Sequence, residues 1–237
     1  MKDGTILSAS ANIHYSLGGS GEEVLVFLHG NGGSIENFKN IIPFFEDKYT
    51  VLAVDSRGHG QSGFGAGELS LGTMAIDLGN LLDHLDFKKV NILGFSDGAN
   101  IAMLFALARP EVVDRLILVG GNYNFWGLTP MAGAMILLGY VSASLTKLVD
   151  RRATLNKELF SLMVKEPNLK RESLSGIKAK TLVVNGNRDM IRVSHAKNIA
   201  STIPNARLEL VNGDHFYLFK EYEHFNEMAY RFLSEGK

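Results

Sequence analysis

The sequence predicts an α/β fold: a mostly parallel sheet with helices on both faces, in a single domain over 1–237 that carries a small helical cap as an insertion at 122–175. Three observations carry this. Uninterrupted apolar runs such as V-L-V-F-L ending at Leu28 and R-L-I-L-V ending at Val119 have the composition of strands buried on both faces. These runs alternate with segments of helical periodicity, the pattern of a parallel sheet with crossover helices. Finally, Gly94-Phe95-Ser96-Asp97-Gly98 joins an apolar run to a helical one, and a G-x-S-x-G in that setting lifts a serine hydroxyl above a strand end.

Composition limits the alternatives. With 46% apolar and 21% charged residues in 237, there is material for one large core. The balance of 24 basic against 25 acidic residues gives a net charge of -1, so there is no electrostatic case for nucleic acid or for a polybasic membrane patch. The absence of cysteine excludes disulfides, thiolate metal sites and a cysteine nucleophile. Met1 to Ile6 lacks the apolar core of a signal peptide, so a cytoplasmic location is expected.

Taken in order, Ala11 to Tyr15 and Glu23 to Leu28 read as strands around a Gly18-Gly19-Ser20-Gly21 turn. His29-Gly30-Asn31-Gly32-Gly33-Ser34 follows, then a helical segment from Ile35 to about Asp47. The glycine-rich loop lacks both the G-x-x-x-x-G-K-[ST] and the G-x-G-x-x-G spacing of phosphate cradles, which removes nucleotide binding. Tyr49 to Val54 is another buried strand, closed by the polar turn from Asp55 to Ser62. Ser70 to Leu85 is an amphipathic helix with Met74, Leu78, Leu81 and Leu85 on one face.

Strand–helix alternation stops from Asn122 to about Ser175. Gly127 to Thr146 is apolar and uncharged, and a second segment surrounds Glu158 to Lys165. Pro130, three glycines and small polar residues argue against a membrane span and for a cap whose apolar face covers the site. The sheet resumes with Lys180 to Asn185 and Arg207 to Val211, separated by a short helix from Ser194 to Thr202. An amphipathic helix closes the chain, with Leu218, Tyr222, Phe225, Ala229 and Phe232 facing inward.

A serine hydroxyl needs a base to take its proton and a third group to orient that base. His215, just past the last strand, and Asp189, just past the strand before it, stand at carboxyl ends of strands, where open α/β sheets place ligands. The chain order Ser96, Asp189, His215 is that of the nucleophile-elbow class. Among the other histidines, His14 falls in a strand, His84 and His224 on helices and His195 at a helix start. His29 and His59, in glycine-rich turns, read as turn-bracing groups. Asp55 is the main rival acid, with turn bracing as its alternative role, and Asp214 is set aside because its side chain diverges from that of His215. The backbone N–H groups of Asn31 and Asp97 are the natural pair to receive oxyanion charge. Asn31, Asp97 and Trp126 are candidate substrate contacts, the Asp97 carboxylate suiting an ammonium-bearing substrate unless it is only a residue favoured by the helix dipole.

His29-Gly30-Asn31-Gly32-Gly33, the Asp55 to Ser62 turn, Gly94 to Gly98, Gly186-Asn187-Arg188-Asp189 and Gly213-Asp214-His215 together resemble the α/β-hydrolase superfamily along nearly the whole chain. The elbow is similar to that of biphenyl-hydrolase-like and related small esterases. The resemblance implies a serine hydrolase with no metal, nucleotide or other cofactor. Ser96 stands where epoxide hydrolases and haloalkane dehalogenases carry aspartate, which removes those chemistries. A carboxylesterase acting on a small ester is the leading expectation. Aminopeptidase or carbon–carbon bond hydrolysis by the same triad, and a ligand-binding or signalling protein with little turnover, are the alternatives.

Overall fold

The computed structural model describes residues 1–146 and 153–236. Eight strands form one sheet: β1 (Lys2–Ser8), β2 (Ala11–Gly19), β3 (Val24–Leu28), β4 (Thr50–Val54), β5 (Val90–Phe95), β6 (Val113–Val119), β7 (Lys180–Gly186) and β8 (Ala206–Val211). Their order across the sheet is β1-β2-β4-β3-β5-β6-β7-β8. The β1–β2 and β2–β4 pairs are antiparallel and every other pair is parallel.

The apolar runs explain themselves once the two faces are separated. Along β3, Val24, Val26 and Leu28 enter one core layer while Leu25 and Phe27 enter the other. β6 repeats this, with Leu116 and Leu118 on one side and Ile117 and Val119 on the other. Successive side chains point to opposite faces, so a strand covered on both must be apolar at every position. Helices α2 (Leu71–His84), α3 (Asp97–Ala108) and α6 (Val193–Thr202) supply the first layer; α1 (Ile42–Phe45), α7 (Tyr217–Lys220) and α8 (Tyr222–Ser234) supply the second.

The structure corrects several boundaries. The helix expected from Ile35 to Asp47 is a 3-10 turn at Ile35–Phe38 followed by the one-turn α1. Pro43 lacks the N–H that a helix running through this segment would need, but fits the first turn of a new one. β1 was not legible as a strand, and the closing helix is divided into α7 and α8.

The insertion between β6 and β7 forms a helical cap. It contains a 3-10 turn at Phe125–Gly127, α4 (Pro130–Thr146), α5 (Ala153–Lys165) and a 3-10 segment at Arg171–Gly176. Residues 147–152 of the expected cap lie outside the described residues. Among the described residues no helix is long and apolar enough to cross a membrane.

Candidate active site

Ser96 follows β5 directly and precedes the first residue of α3, with φ 54° and ψ -119°. A non-glycine residue there stores roughly 1–3 kcal/mol of backbone strain, held by its surroundings. Those surroundings are tight. A Cβ on Gly98 would lie 2.1 Å from the Leu28 carbonyl oxygen, and one on Gly94 would lie 2.4 Å from the Gly98 oxygen. The two glycines therefore let the first turn of α3 press against β3 and β5, which leaves the serine projecting at the carboxyl edge of the sheet.

His215 reaches this edge from the loop after β8, and Asp189 from the loop after β7. The Ser96 Oγ to His215 Nε2 distance is 3.0 Å, and His215 Nδ1 stands 2.8 Å from Asp189 Oδ1. In the tautomer that serves both contacts, Nδ1 donates to the carboxylate and Nε2 accepts from the hydroxyl. The Asp189 side chain is 2% exposed, and its Oδ1 also accepts the N–H of Ile191 at 2.9 Å. Phe95 packs its ring 4.9 Å from the imidazole centroid. This is a hydroxyl, a base and a base-orienting carboxylate in series, an arrangement able to move a proton from Ser96 to His215.

One contributor to this geometry was missed in the sequence. Gly120 has φ +61°, and a Cβ there would lie 2.8 Å from His215 Cε1 and 3.5 Å from Asp189 Oδ2. The signal available in the sequence is its position: Gly120-Gly121 directly follows the buried run ending at Val119, on the same sheet edge as Ser96.

The rival groups have other partners. Asp55 accepts the N–H of Ile35 at 2.8 Å and of Gln61 at 2.9 Å, and lies 3.0 Å from His14 Nδ1, so it braces its turn. Asp214 pairs with Lys220 and accepts the Phe216 N–H. His29 donates from Nδ1 to the Gly30 carbonyl and accepts the Ser56 N–H at Nε2; burial lowers its pKa to about 4 and keeps it neutral. His195 accepts the Tyr123 N–H and stacks on that ring at 3.9 Å, and burial likewise lowers it to about 4. His59 Nδ1 bonds the Arg57 carbonyl, while His84 and His224 are exposed.

The loop after β3 approaches the elbow closely: a Cβ on Gly30 would lie 2.9 Å from Ser96 Cβ. Asn31, next in the chain, donates from Nδ2 to Asp97 Oδ2 at 2.9 Å and to the Leu159 carbonyl at 3.0 Å. Asp97 Oδ1 accepts from Asn100 Nδ2 at 3.2 Å, and Asn100 in turn bonds both the amide and the side chain of Asn122. Asp97 is 8% exposed; burial raises its pKa, opposed by the hydrogen bonds from Asn31 and Asn100. The Asp97 amide is the first of α3, where helical N–H groups have no intrahelical acceptor. Asn100, which bonds the carboxylate, and Asn122, which bonds Asn100 from 22 positions away, do not stand out in the sequence, because only the fold brings Asn122 beside Asn100.

The cavity over Ser96 is about 20 Å³, which holds little more than one water molecule. Asp97, Asn122, Met163, Glu166, Met190 and His215 are among its walls, and no lysine or arginine is among its described lining residues. Trp126 is not part of it. That side chain is 75% exposed and lies in a separate groove with Phe125, Pro130 and Leu137. Among the described residues no cluster of three or more His, Cys, Asp or Glu is placed to hold a metal ion.

Comparison with known proteins agrees with this architecture. Residues 23–159 match the family described as alpha/beta hydrolase fold. A 2-hydroxy-6-oxononadienedioate/2-hydroxy-6-oxononatrienedioate hydrolase of Cupriavidus pinatubonensis is 30% identical, the match covering 98% of this chain and 93% of that protein. Two solved structures share the fold. The naproxen esterase of Bacillus subtilis superposes with a TM-score of 0.81 at 20% identity, over 98% of this chain and 91% of its own. A meta-cleavage product hydrolase from Pseudomonas fluorescens IP01 superposes at 0.77 and 24% identity, over 99% and 98%. From its sheet order, its helical cap and these matches, the chain belongs to the alpha/beta hydrolase fold family.

Proposed function

We propose that the chain is a serine hydrolase that cleaves small carboxylic esters through an acyl-enzyme intermediate. The observation that carries this is the series Ser96, His215, Asp189 at 3.0 and 2.8 Å, with the serine held in a strained turn above the sheet. Ser96 Oγ attacks the ester carbonyl while His215 Nε2 takes its proton, and Asp189 steadies the resulting imidazolium. The tetrahedral oxyanion is received by the amides of Asn31 and Asp97, each such donor being worth about 2.7–4 kcal/mol of barrier. Collapse expels the alcohol, which collects the proton from His215. Water, activated by the same imidazole, then releases the acid. No metal or cofactor enters these steps.

Carbon–carbon bond hydrolysis by the same residues is the second reading, favoured by the 30% identity to a hydrolase named for a dioate. The wall chemistry weighs against a substrate of that kind here. A dioate carries two carboxylates, whereas the described walls offer the carboxylates of Asp97 and Glu166 and no lysine or arginine to meet them. An uncharged ester faces no such cost.

The test is a panel of p-nitrophenyl esters of increasing acyl length, run beside a vinylogous 1,5-diketone acid. Turnover of short esters that disappears in Ser96→Ala supports the esterase. Cleavage of the diketone alone shifts the assignment to carbon–carbon hydrolysis, and turnover of neither sinks the proposal.

A further inference from the structure

Asn31 is the point at which three parts of the molecule meet. Its amide nitrogen Nδ2 carries two hydrogens, and the structure gives each an acceptor: Asp97 Oδ2 in the elbow at 2.9 Å and the Leu159 carbonyl in α5 of the cap at 3.0 Å. The residue itself is held in a turn closed by the Gly33 N–H on the Gly30 carbonyl at 3.0 Å, with Gly30 packed on Ser96. A single side chain thus ties the loop after β3 to the residue following the nucleophile and to a cap residue 128 positions away.

α5 and the residue that follows it dock through carboxylates. Glu158, 5% exposed, accepts the Leu69 N–H at 3.3 Å, and Glu166 accepts the Leu71 N–H at 2.7 Å and the Ser70 hydroxyl at 3.4 Å. These contacts seat the cap on the segment leading into α2. The cavity of about 20 Å³ beneath it is smaller than an ester, so in the proposed mechanism the cap lifts for substrate to enter and returns for the reaction to proceed in a dry site. When α5 lifts, the Leu159 carbonyl leaves Asn31.

We infer that the Asn31 side chain is a positioning residue that couples cap closure to assembly of the oxyanion hole. With the cap docked, the Leu159 carbonyl and the Asp97 carboxylate fix the Asn31 side chain from two sides. Its own main-chain N–H is thereby held where the oxyanion forms, and the Asp97 backbone is held at the same time. With the cap lifted, one of the two anchors is gone and the loop after β3 is free to drift. The hole is complete only over an enclosed substrate, which spends binding energy from the cap on the reacting geometry. The inference rests on the serine hydrolase mechanism proposed above and adds to it which side chain reports that the lid is shut.

The experiment is a double-mutant cycle on the full chain with a p-nitrophenyl ester that the wild type hydrolyses. Asn31→Ala keeps the main-chain N–H and removes both side-chain anchors. Glu158→Ala loosens the cap at a residue outside the cavity wall, and Glu158→Gln, which retains a carbonyl acceptor, is the conservative control. Asn31→Ala is expected to lower kcat by about tenfold to a hundredfold, the scale of a small misplacement at a reacting centre, with KM within about threefold. Glu158→Ala is expected to lower kcat by about fivefold, with Glu158→Gln close to wild type. The double variant is expected to be no slower than Asn31→Ala, because the cap has then lost the side chain through which it acts. Effects that multiply in the double variant, or an Asn31→Ala loss confined to KM, overturn the coupling. Glu158→Asp, one methylene shorter than the native side chain that meets the Leu69 N–H, serves as a second cap-loosening variant where Glu158→Ala fails to fold. A folded wild type inert to both esters and a fluorophosphonate probe sinks the hydrolase proposal and this inference together; an active wild type with multiplying effects sinks the inference alone.

Discussion

Gly120 and His215 are in contact so close that a single methyl group at residue 120 would sit 2.8 Å from Cε1 and 2.9 Å from Nδ1 of the imidazole. The base of the proposed triad is seated against bare backbone, and the φ of +61° at that position suits a residue without a side chain.

Gly120→Ala is therefore expected to displace the imidazole from Ser96. Activity on a p-nitrophenyl ester should fall by about a hundredfold. Stability should fall by about 1–3 kcal/mol from the left-handed backbone and the clash. Steady-state kinetics beside urea denaturation measure both; an unchanged kcat means that His215 is not held as described.

Two carboxylates at strand ends separate by role. Asp189→Asn leaves the fold intact but removes the group that sets the tautomer of His215, and kcat should drop by about 10⁴-fold. Asp55→Ala leaves the N–H groups of Ile35 and Gln61 without their acceptor, which should cost about 2–5 kcal/mol of stability. Its kcat, measured at a temperature where the variant is folded, should stay within about tenfold of wild type. Exchange of these two phenotypes would make Asp55 the orienting acid.

The sheet and the three side chains of the proposed triad are legible in the sequence because their signals are local. A run such as V-L-V-F-L declares burial on both faces, and Ser96, Asp189 and His215 each sit one loop beyond such a run. β1 was not readable, since an edge strand of sequence K-D-G-T-I-L-S buries little besides Ile6 and Ser8 and owes its form to pairing with β2. Nor were the partners of Asn31: its contact with Leu159 spans 128 residues and depends on where the cap lands, which no periodicity encodes. Trp126 shows the reverse error, a large aromatic in the cap that lies outside the cavity over Ser96.

Both oxygens of Asp97 are engaged, one by Asn31 and one by Asn100. A carboxylate committed to protein donors has little left for an ammonium. Asp97→Asn is therefore expected to change the ratio of kcat/KM between aminoacyl and plain acyl esters by less than about threefold. A collapse of activity on the aminoacyl ester alone would make Asp97 the ammonium contact.

His29 and His195 are buried neutral, each with its pKa lowered from 6.5 to about 4 by loss of hydration. The unfolded chain binds these protons more readily than the native one. The stabilisation is therefore fully present above about pH 6.5 and is lost as pH falls toward 4, on the order of 3 kcal/mol per histidine across the window. Urea unfolding at pH 7 and pH 5 is expected to show this loss, and His195→Gln to reduce it. An equal pH dependence in the variant would contradict the assignment of His195.

Reaction with a fluorophosphonate probe bears most directly on whether Ser96 is a nucleophile activated by His215. One phosphonyl group per chain is expected, mapped to the peptide containing Ser96, absent in Ser96→Ala and strongly slowed in His215→Ala. A folded wild-type protein that stays unlabelled, or one that labels equally after Ser96 is replaced, would contradict it.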